Sequence, residues 1–136
     1  MAHQLTFERF AFYNPAKDGI TVGVTLKLDE RSAVFDAKID TGASCCIFER
    51  APGENLGLEI ESGLRQQFST ATGTFIAYGH EVTLSVLDFE FDTFVYSAAD
   101  ESFTRNVLGR RGWLDRITLG LVDYEGMLYL SKYDGE

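Results

Sequence analysis

The segment Ala37-Lys38-Ile39-Asp40-Thr41-Gly42-Ala43-Ser44-Cys45-Cys46-Ile47-Phe48 governs the interpretation of the whole chain. Its apolar flanks predict one strand that enters a sharp polar turn and a second strand that leaves it. Asp40 therefore falls where the pattern predicts a core. A carboxylate in surroundings of low dielectric constant needs hydrogen-bond partners, so Asp40 is a candidate functional residue. The alternative is a purely structural turn acid.

Composition bounds the class of protein. The chain has 136 residues, which predicts a single domain over residues 1–136, with its core between about residues 21 and 130. The net charge of -9 and the pI near 4.6 argue against nucleic acid or an anionic membrane as a partner. No apolar run approaches the roughly 20 residues of a membrane span. The first residues do not resemble a signal peptide, so we expect a cytoplasmic protein.

The cysteines and histidines predict neither a disulfide nor a metal site. Cys45 and Cys46 are adjacent, and neighbours on a strand point to opposite faces, so they are poorly placed to bridge or to share a metal ion. We expect two free thiols, one of them in the core. His3 and His80 lie far apart in the sequence, with no second ligand at metal spacing. No metal or cofactor is expected.

Short alternating segments dominate the rest of the chain and predict an all-β barrel or sandwich. Segment 50–53 is expected to break the first unit, and segment 54–62 to form a helical turn and a short strand. Segment 110–114 predicts a short helix, and the polar tail 131–136 is expected to fray. The predicted strands cover residues 5–13, 21–28, 34–39, 47–48, 66–70, 75–86, 91–96, 107–109, 117–122 and 127–130.

Three motifs together resemble one known family. Ile39-Asp40-Thr41-Gly42-Ala43-Ser44 resembles the active-site loop of aspartic proteases, and Thr70-Ala71-Thr72-Gly73-Thr74 resembles the tip of their flap hairpin. Val107-Leu108-Gly109-Arg110 resembles the strand beneath that loop, with the arginine of the retroviral version. The chain is thus similar to the retropepsin-like aspartic proteases in a bacterial-type single-lobe form. This resemblance implies an all-β closed barrel with a flap hairpin and one short helix.

The resemblance also implies an activity and an assembly. The expected function is an aspartic endopeptidase that acts on polypeptides, with a water molecule activated between two carboxylates that share one proton. One chain supplies one Asp40, so a two-fold homodimer is expected, with the dyad formed from both protomers. The implied catalytic residues are Asp40, Thr41 and Gly42. The implied substrate contacts are Ala43, Ser44, Ala71, Thr72, Gly73, Thr74 and Val107.

The chain departs from the retroviral pattern at the expected dimer contacts. Ser44 stands where retroviral enzymes have an Asp that pairs with the arginine matching Arg110, so Arg110 must find another partner. The charged tail also lacks the apolar ending with which retroviral protomers interleave. The Phe-rich segment 5–13 is the candidate replacement for the interface strand.

Two other functions stay open at this point. The first is a catalytically inactive retropepsin-like module for dimerisation or for binding extended peptides. The second is a self-processing protease whose substrate is its own precursor.

Overall fold

In the computed structural model, which describes residues 1–133, ten β-strands form two sheets. One short α-helix, α1 (Arg50–Asn55), and three 3₁₀ turns connect strands within this part of the chain. The strands are β1 (Arg9–Phe12), β2 (Thr21–Leu28), β3 (Arg31–Ile39), β4 (Ile47–Phe48), β5 (Leu64–Thr70), β6 (Gly73–Val86), β7 (Phe89–Ala98), β8 (Val107–Leu108), β9 (Ile117–Val122) and β10 (Met127–Lys132).

The larger sheet closes on itself, as the all-β closed-barrel prediction requires. Its seven strands lie in the order β2-β3-β8-β4-β7-β6-β5, and β2 also pairs with β6. This extra pairing makes a ring of six strands and leaves β5 outside it, as one arm of a hairpin with β6. Val22, Val24 and Leu26 of β2 point into the ring and are buried, as their alternation predicts. The predicted single lobe is therefore confirmed.

The smaller sheet has β10 between β1 and β9, and its two faces differ. Leu128 and Leu130 face the core and are fully buried. On the opposite face, Phe10 and Phe12 of β1 are 61% and 71% exposed. Phe7, just before β1, is half-buried against the ring of Tyr129, at 5.7 Å between centroids. The predicted strand 5–13 is thus shorter than expected, and Phe7 packs within its own chain.

Three local predictions are wrong. The expected break at 50–53 is the first turn of α1, because Pro52 lies there and an amide in the first turn has no intrahelical acceptor to lose. Segment 54–62 contains no strand and ends in a 3₁₀ turn at Ile60–Ser62. Segment 110–114 is not a helix, because Arg111 bridges to Cys45 in extended form and the 3₁₀ turn comes later, at Leu114–Arg116.

The end of the chain is also more regular than expected. Strand β10 continues to Lys132, where a frayed tail was predicted from residue 131, because Lys132 pairs with Ile117 and Ser131 with Thr118. Residues 134–136 of that predicted tail lie outside the described residues. None of the helices within 1–133 is long and apolar enough to cross a membrane.

The two cysteines are free thiols in different environments, as the sequence predicted. Cys46 is fully buried beside Phe48, and this burial raises the pKa of its thiol to about 12. Cys45 is half-buried at the edge of the polar loop. Because the thiolate is the reactive species, Cys46 should be unreactive in the folded protein.

We predict that native protein at pH 8 is alkylated once, at Cys45, and that denatured protein is alkylated twice. Peptide mapping by mass spectrometry after timed labelling checks this. Cys45→Ser protein is the control and should resist labelling until it is unfolded. Rapid labelling of Cys46 in the native state would show that this part of the core opens readily.

Candidate active site

The Asp40 loop is fixed by its own backbone. Asp40 follows the last residue of β3, and its amide donates a hydrogen bond to the carbonyl of Leu108 at 3.0 Å. The Ala43 amide donates to the Asp40 carbonyl at 3.1 Å and closes the turn. The Gly42 amide donates to Oδ1 of Asp40 at 2.9 Å. A Cβ at Gly42 would lie only 3.3 Å from that oxygen, so glycine suits the close approach of amide and carboxylate.

Strand β8 lies between the strand that enters the loop and the strand that leaves it. Its two residues pair in parallel with Lys38 and Ile39 of β3, and Val107 also pairs with Ile47 of β4 in antiparallel sense. Amides just beyond β8 then bind the loop: Arg110 donates to the Ala43 carbonyl and Arg111 to the Ser44 carbonyl, each at 2.9 Å. The loop is therefore held from below by main-chain hydrogen bonds.

At Gly109, the segment that follows β8 contacts the main chain of the Asp40 loop. A Cβ built at Gly109 would lie 2.6 Å from the carbonyl carbon of Cys45 and 2.9 Å from the carbonyl oxygen of Ala43. Both distances involve main-chain atoms, which cannot move aside as a flexible side chain would. Only glycine therefore fits after Val107 and Leu108, because any side chain there would collide with the main chain of the Asp40 loop.

Asp40 itself is half-buried, and Thr41 and Gly42 are exposed in the single chain. The expectation that Asp40 lies in the core is thus wrong for one protomer. The apolar flanks that suggested it are buried, with Phe48 fully enclosed, but the polar turn between them faces outward. The backbone N–H and C=O groups of a loop need hydrogen-bond partners. Water supplies these partners at the surface, whereas a buried loop needs other segments to supply them.

A pocket of about 290 Å³ opens beside the Asp40 carboxylate. Half of the ten predicted site residues line it: Asp40, Gly42, Ala43, Ser44 and Val107. An adjacent pocket of about 470 Å³ is lined by three more, Thr72, Gly73 and Thr74. Thr41 and Ala71 line neither pocket. The structure thus brings most of the predicted set to one cleft, and their roles in catalysis or binding stay predictions.

The flap hairpin of β5 and β6 stands over this cleft. Its tip is tied by Thr70, whose hydroxyl accepts from the Thr72 amide at 3.3 Å and donates to the Gly73 carbonyl at 3.1 Å. Gly73 has φ +147°, and a Cβ built there would have no heavy atom within 4 Å. A Cβ at Gly73 would therefore meet no steric contact within residues 1–133 of one protomer, and substitution there would act through backbone strain.

Sequence reasoning missed the aromatic wall of the cleft. Phe68 of β5 stacks on Phe75 of β6 at 5.4 Å, and Phe75 contacts Phe103 at 4.6 Å between ring centroids. These three residues line the pocket beside Asp40. The signal for Phe103 was absent, because it lies in an irregular loop with no period. The other lining residues that were missed are Ile47, Ser69, Thr70 and Arg105.

Arg110 is exposed, and among residues 1–133 no carboxylate lies within 4.0 Å of its guanidinium. The nearby Asp115 accepts a hydrogen bond from the Gly112 amide at 3.1 Å instead. The retroviral brace that Ser44 removes has no replacement within the described part of one protomer. That part also contains no group of three His, Cys, Asp or Glu side chains that could hold a metal ion.

Comparison with known proteins agrees with this geometry. The family model described as "Aspartyl protease" matches residues 24–121, which span the Asp40 loop, the flap and β8. A retropepsin-like aspartic protease from Rickettsia conorii is similar in structure, with a TM-score of 0.65 and 17% identity, over 89% of this chain and 96% of that one. The EIAV protease in complex with the inhibitor HBY-793 has a TM-score of 0.54 and 19% identity.

The EIAV comparison covers 74% of this chain and 88% of that one. At such identities the two solved structures establish the fold alone, and they confirm the retropepsin-like architecture. No curated protein sequence matches the chain.

Gly109→Ala should destabilise the protein by about 3 kcal/mol or more, because the new methyl group meets main-chain carbonyls on both sides. Urea denaturation followed by fluorescence of Trp113 measures the free energy of unfolding. Gly23→Ala on β2 is the matched control, since its Cβ has no neighbour closer than 4.0 Å, and it should change that free energy by less than about 1 kcal/mol. Equal stability of the two variants would contradict the proposed contact.

Proposed function

The chain belongs to the aspartyl protease family, and we propose that it is an endopeptidase whose active site forms between two copies. The observation that carries this proposal is the Asp40 carboxylate, held by the Gly42 amide at the mouth of an apolar cleft beneath a flap. Polypeptides in extended form are the proposed ligands, since extended chains bind beside strands and hairpins through main-chain hydrogen bonds.

The proposed chemistry is hydrolysis with general acid and base catalysis. Two Asp40 carboxylates close together would hold one proton between them, because two like charges at hydrogen-bonding distance do not both ionise cheaply. The ionised group removes a proton from water while the water oxygen attacks the peptide carbonyl carbon. The protonated group gives its proton to the carbonyl oxygen. Collapse of the tetrahedral intermediate then breaks the C–N bond as the nitrogen takes up a proton.

The single protomer offers half of this arrangement. The chain has one Asp-Thr-Gly sequence, and its pocket has one carboxylate, that of Asp40. Thr41 and Gly42 are exposed beside it, which leaves room for the same loop of a second copy. A two-fold axis between the loops would place the same residues of both chains face to face, as an isologous interface requires.

The smaller sheet offers apolar surface for the same dimer. Its outer face carries Phe10 and Phe12, whose rings contact each other at 6.2 Å, and Val122, which is 40% exposed. Among residues 1–133, its outer strands, β1 and β9, each pair only with β10. Apolar side chains and open strand edges in one small sheet favour association with another chain. Phe10 and Phe12 replace Phe7 as the candidate interface residues, since Phe7 packs on Tyr129.

The second candidate is a catalytically inactive module that binds peptides or dimerises. The presence of a single carboxylate in the pocket of the protomer favours this second candidate. A chain whose Asp40 loop never meets that of a second copy would keep the cleft but would have no carboxylate dyad. The two candidates differ in the behaviour of the same variant. In an enzyme, Asp40→Asn removes turnover. In a binding module, Asp40→Asn leaves the measured property, peptide affinity, almost unchanged.

We predict that Asp40→Asn lowers kcat by about 100-fold or more, because the amide can neither accept the water proton nor share one with its partner. Turnover of a diverse peptide library across pH 4 to 8 measures this. Asp36→Asn is the matched control: Asp36 is exposed on β3 outside the cleft, so its loss should leave activity and stability nearly unchanged. Equal turnover by Asp40→Asn and wild type in clean preparations would remove Asp40 from the chemistry.

We predict that specific activity rises with protein concentration and then reaches a plateau, because the monomer has half a site. Adding a ninefold excess of Asp40→Asn protein should reduce activity per wild-type chain to about a tenth, by random formation of mixed dimers. Analytical ultracentrifugation beside the peptide assay relates activity to dimer fraction.

A matched pair of variants tests the interface. Phe12→Asp should raise the Kd of the dimer and lower activity in proportion, whereas Val34→Asp, at a 76% exposed site on β3, should do neither. Full specific activity in a preparation shown to be monomeric would end the shared-dyad proposal.

A further inference from the structure

Arg105 lies where the two pockets of the cleft meet. The pocket beside Asp40 and the pocket beneath the flap tip share four lining residues, Thr70, Phe75, Phe103 and Arg105. Of these four, Arg105 alone carries a charge. In the pocket beside Asp40 it is the single basic lining residue, and it shares that pocket with the aromatic wall of Phe68, Phe75 and Phe103.

The loop that carries Arg105 is anchored on both sides of it. Before it, the Phe103 amide donates to the Asp100 carbonyl at 3.1 Å. After it, the Asn106 carbonyl accepts from the Lys38 amide at 2.9 Å, and the Asn106 side chain accepts from the Glu49 amide at 2.9 Å. The backbone of Arg105 therefore lies between two anchored residues, so its side chain starts from a defined place at the cleft.

The guanidinium of Arg105 has no anionic partner among residues 1–133, since no carboxylate there lies within 4.0 Å of it. The same loop has two acids, Asp100 and Glu101, and the one that lines a pocket with Arg105 is engaged by its own backbone: Oδ1 of Asp100 accepts from the Ser102 amide at 2.8 Å. Hydrogen bonds from Ser102 also hold the pKa of the Asp100 carboxyl below its usual range. The contact of Arg105 with Phe103, at 5.9 Å to the ring centroid, is at the long limit of a cation–π interaction.

From these observations we propose that Arg105 is a specificity-determining residue that selects polypeptides with an acidic side chain close to the apolar residue bound beside Asp40. This inference rests on the proposed peptide-binding function of the same cleft. A planar guanidinium presents paired N–H donors that match the two oxygens of a carboxylate. The aromatic wall binds an apolar side chain of the same peptide. The preferred substrates therefore carry both an acidic and an apolar side chain.

The position of Arg105 has a consequence for the dimer. Each protomer contributes one Arg105, so the complete cleft would carry two, related by the two-fold axis. A single peptide runs through it in one direction and meets one Arg105 on each side of the scissile bond. Acidic side chains on either side should therefore be accepted.

The test uses peptides in matched sets in which Glu, Gln or Lys is placed in turn at each position flanking an apolar pair. For wild-type protein, kcat/KM should be about tenfold higher for the best Glu peptide than for its Gln counterpart, as a charge-assisted hydrogen bond replaces a neutral one. In Arg105→Gln this ratio should fall to about one. In Arg105→Glu it should reverse, and the Lys peptide should become the best substrate.

Two additions separate the outcomes. Arg31→Gln removes the same charge at an exposed site that lines neither pocket, and its Glu/Gln ratio should equal that of wild type. Calorimetry with non-cleavable hydroxyethylene peptides that carry Glu or Gln measures the difference in affinity between the two forms without any turnover. If no peptide is cut but the Glu form binds more tightly through Arg105, the proposed enzyme fails and the selection by Arg105 stands. Equal affinity for the two forms, or no binding of either, overturns the inference.

Discussion

The contact of Gly109 with the main chain of Ala43 and Cys45 is the constraint on which the site depends. It allows β8 to lie directly beneath the Asp40 loop, so that amides beyond β8 reach the loop carbonyls. These hydrogen bonds are between main-chain atoms, and they hold the Asp40 carboxylate at the cleft without any side-chain brace. A loop held in this way can lose the retroviral aspartate at position 44 and keep its shape.

Two further features of the protomer support the proposed homodimer. A polar loop with a half-buried acid faces outward, and apolar rings cover the outer face of a small sheet with open edges. Each feature is unfavourable for an isolated chain, since exposed apolar surface and unpaired strand edges promote association. In the proposed homodimer a second copy would cover both features at once and would also supply the second carboxylate.

The net charge of the chain and the charge of Arg105 have opposite signs. The net charge of -9 would weakly repel an acidic peptide at a distance, whereas in the proposed selection Arg105 attracts the acidic side chain at contact. At 0.1 M salt the screening length is about 10 Å, so distant charges are damped while a contact inside a partly closed cleft is not. In the proposed selection the local cation would therefore outweigh the net charge of the chain.

The sequence by itself determined the strand pattern of β2, the terminal hairpin and the all-β class, because alternation and turn residues act locally. The closed barrel and the flap hairpin were predicted from the resemblance of three motifs to a known family. The sequence also identified Asp40 and Gly109, since a short motif fixes both. The aromatic wall, Arg105 and the true exposure of Asp40 were decided by tertiary structure alone. Phe68 and Phe103 lie far apart in the chain and meet only when β5 and the loop before β8 converge. The same holds for α1, where burial of Gly53 against Ile60 and Ser97 outweighs a sequence that reads as a break. Local preferences carry no information about such long-range packing, so these features required the folded chain.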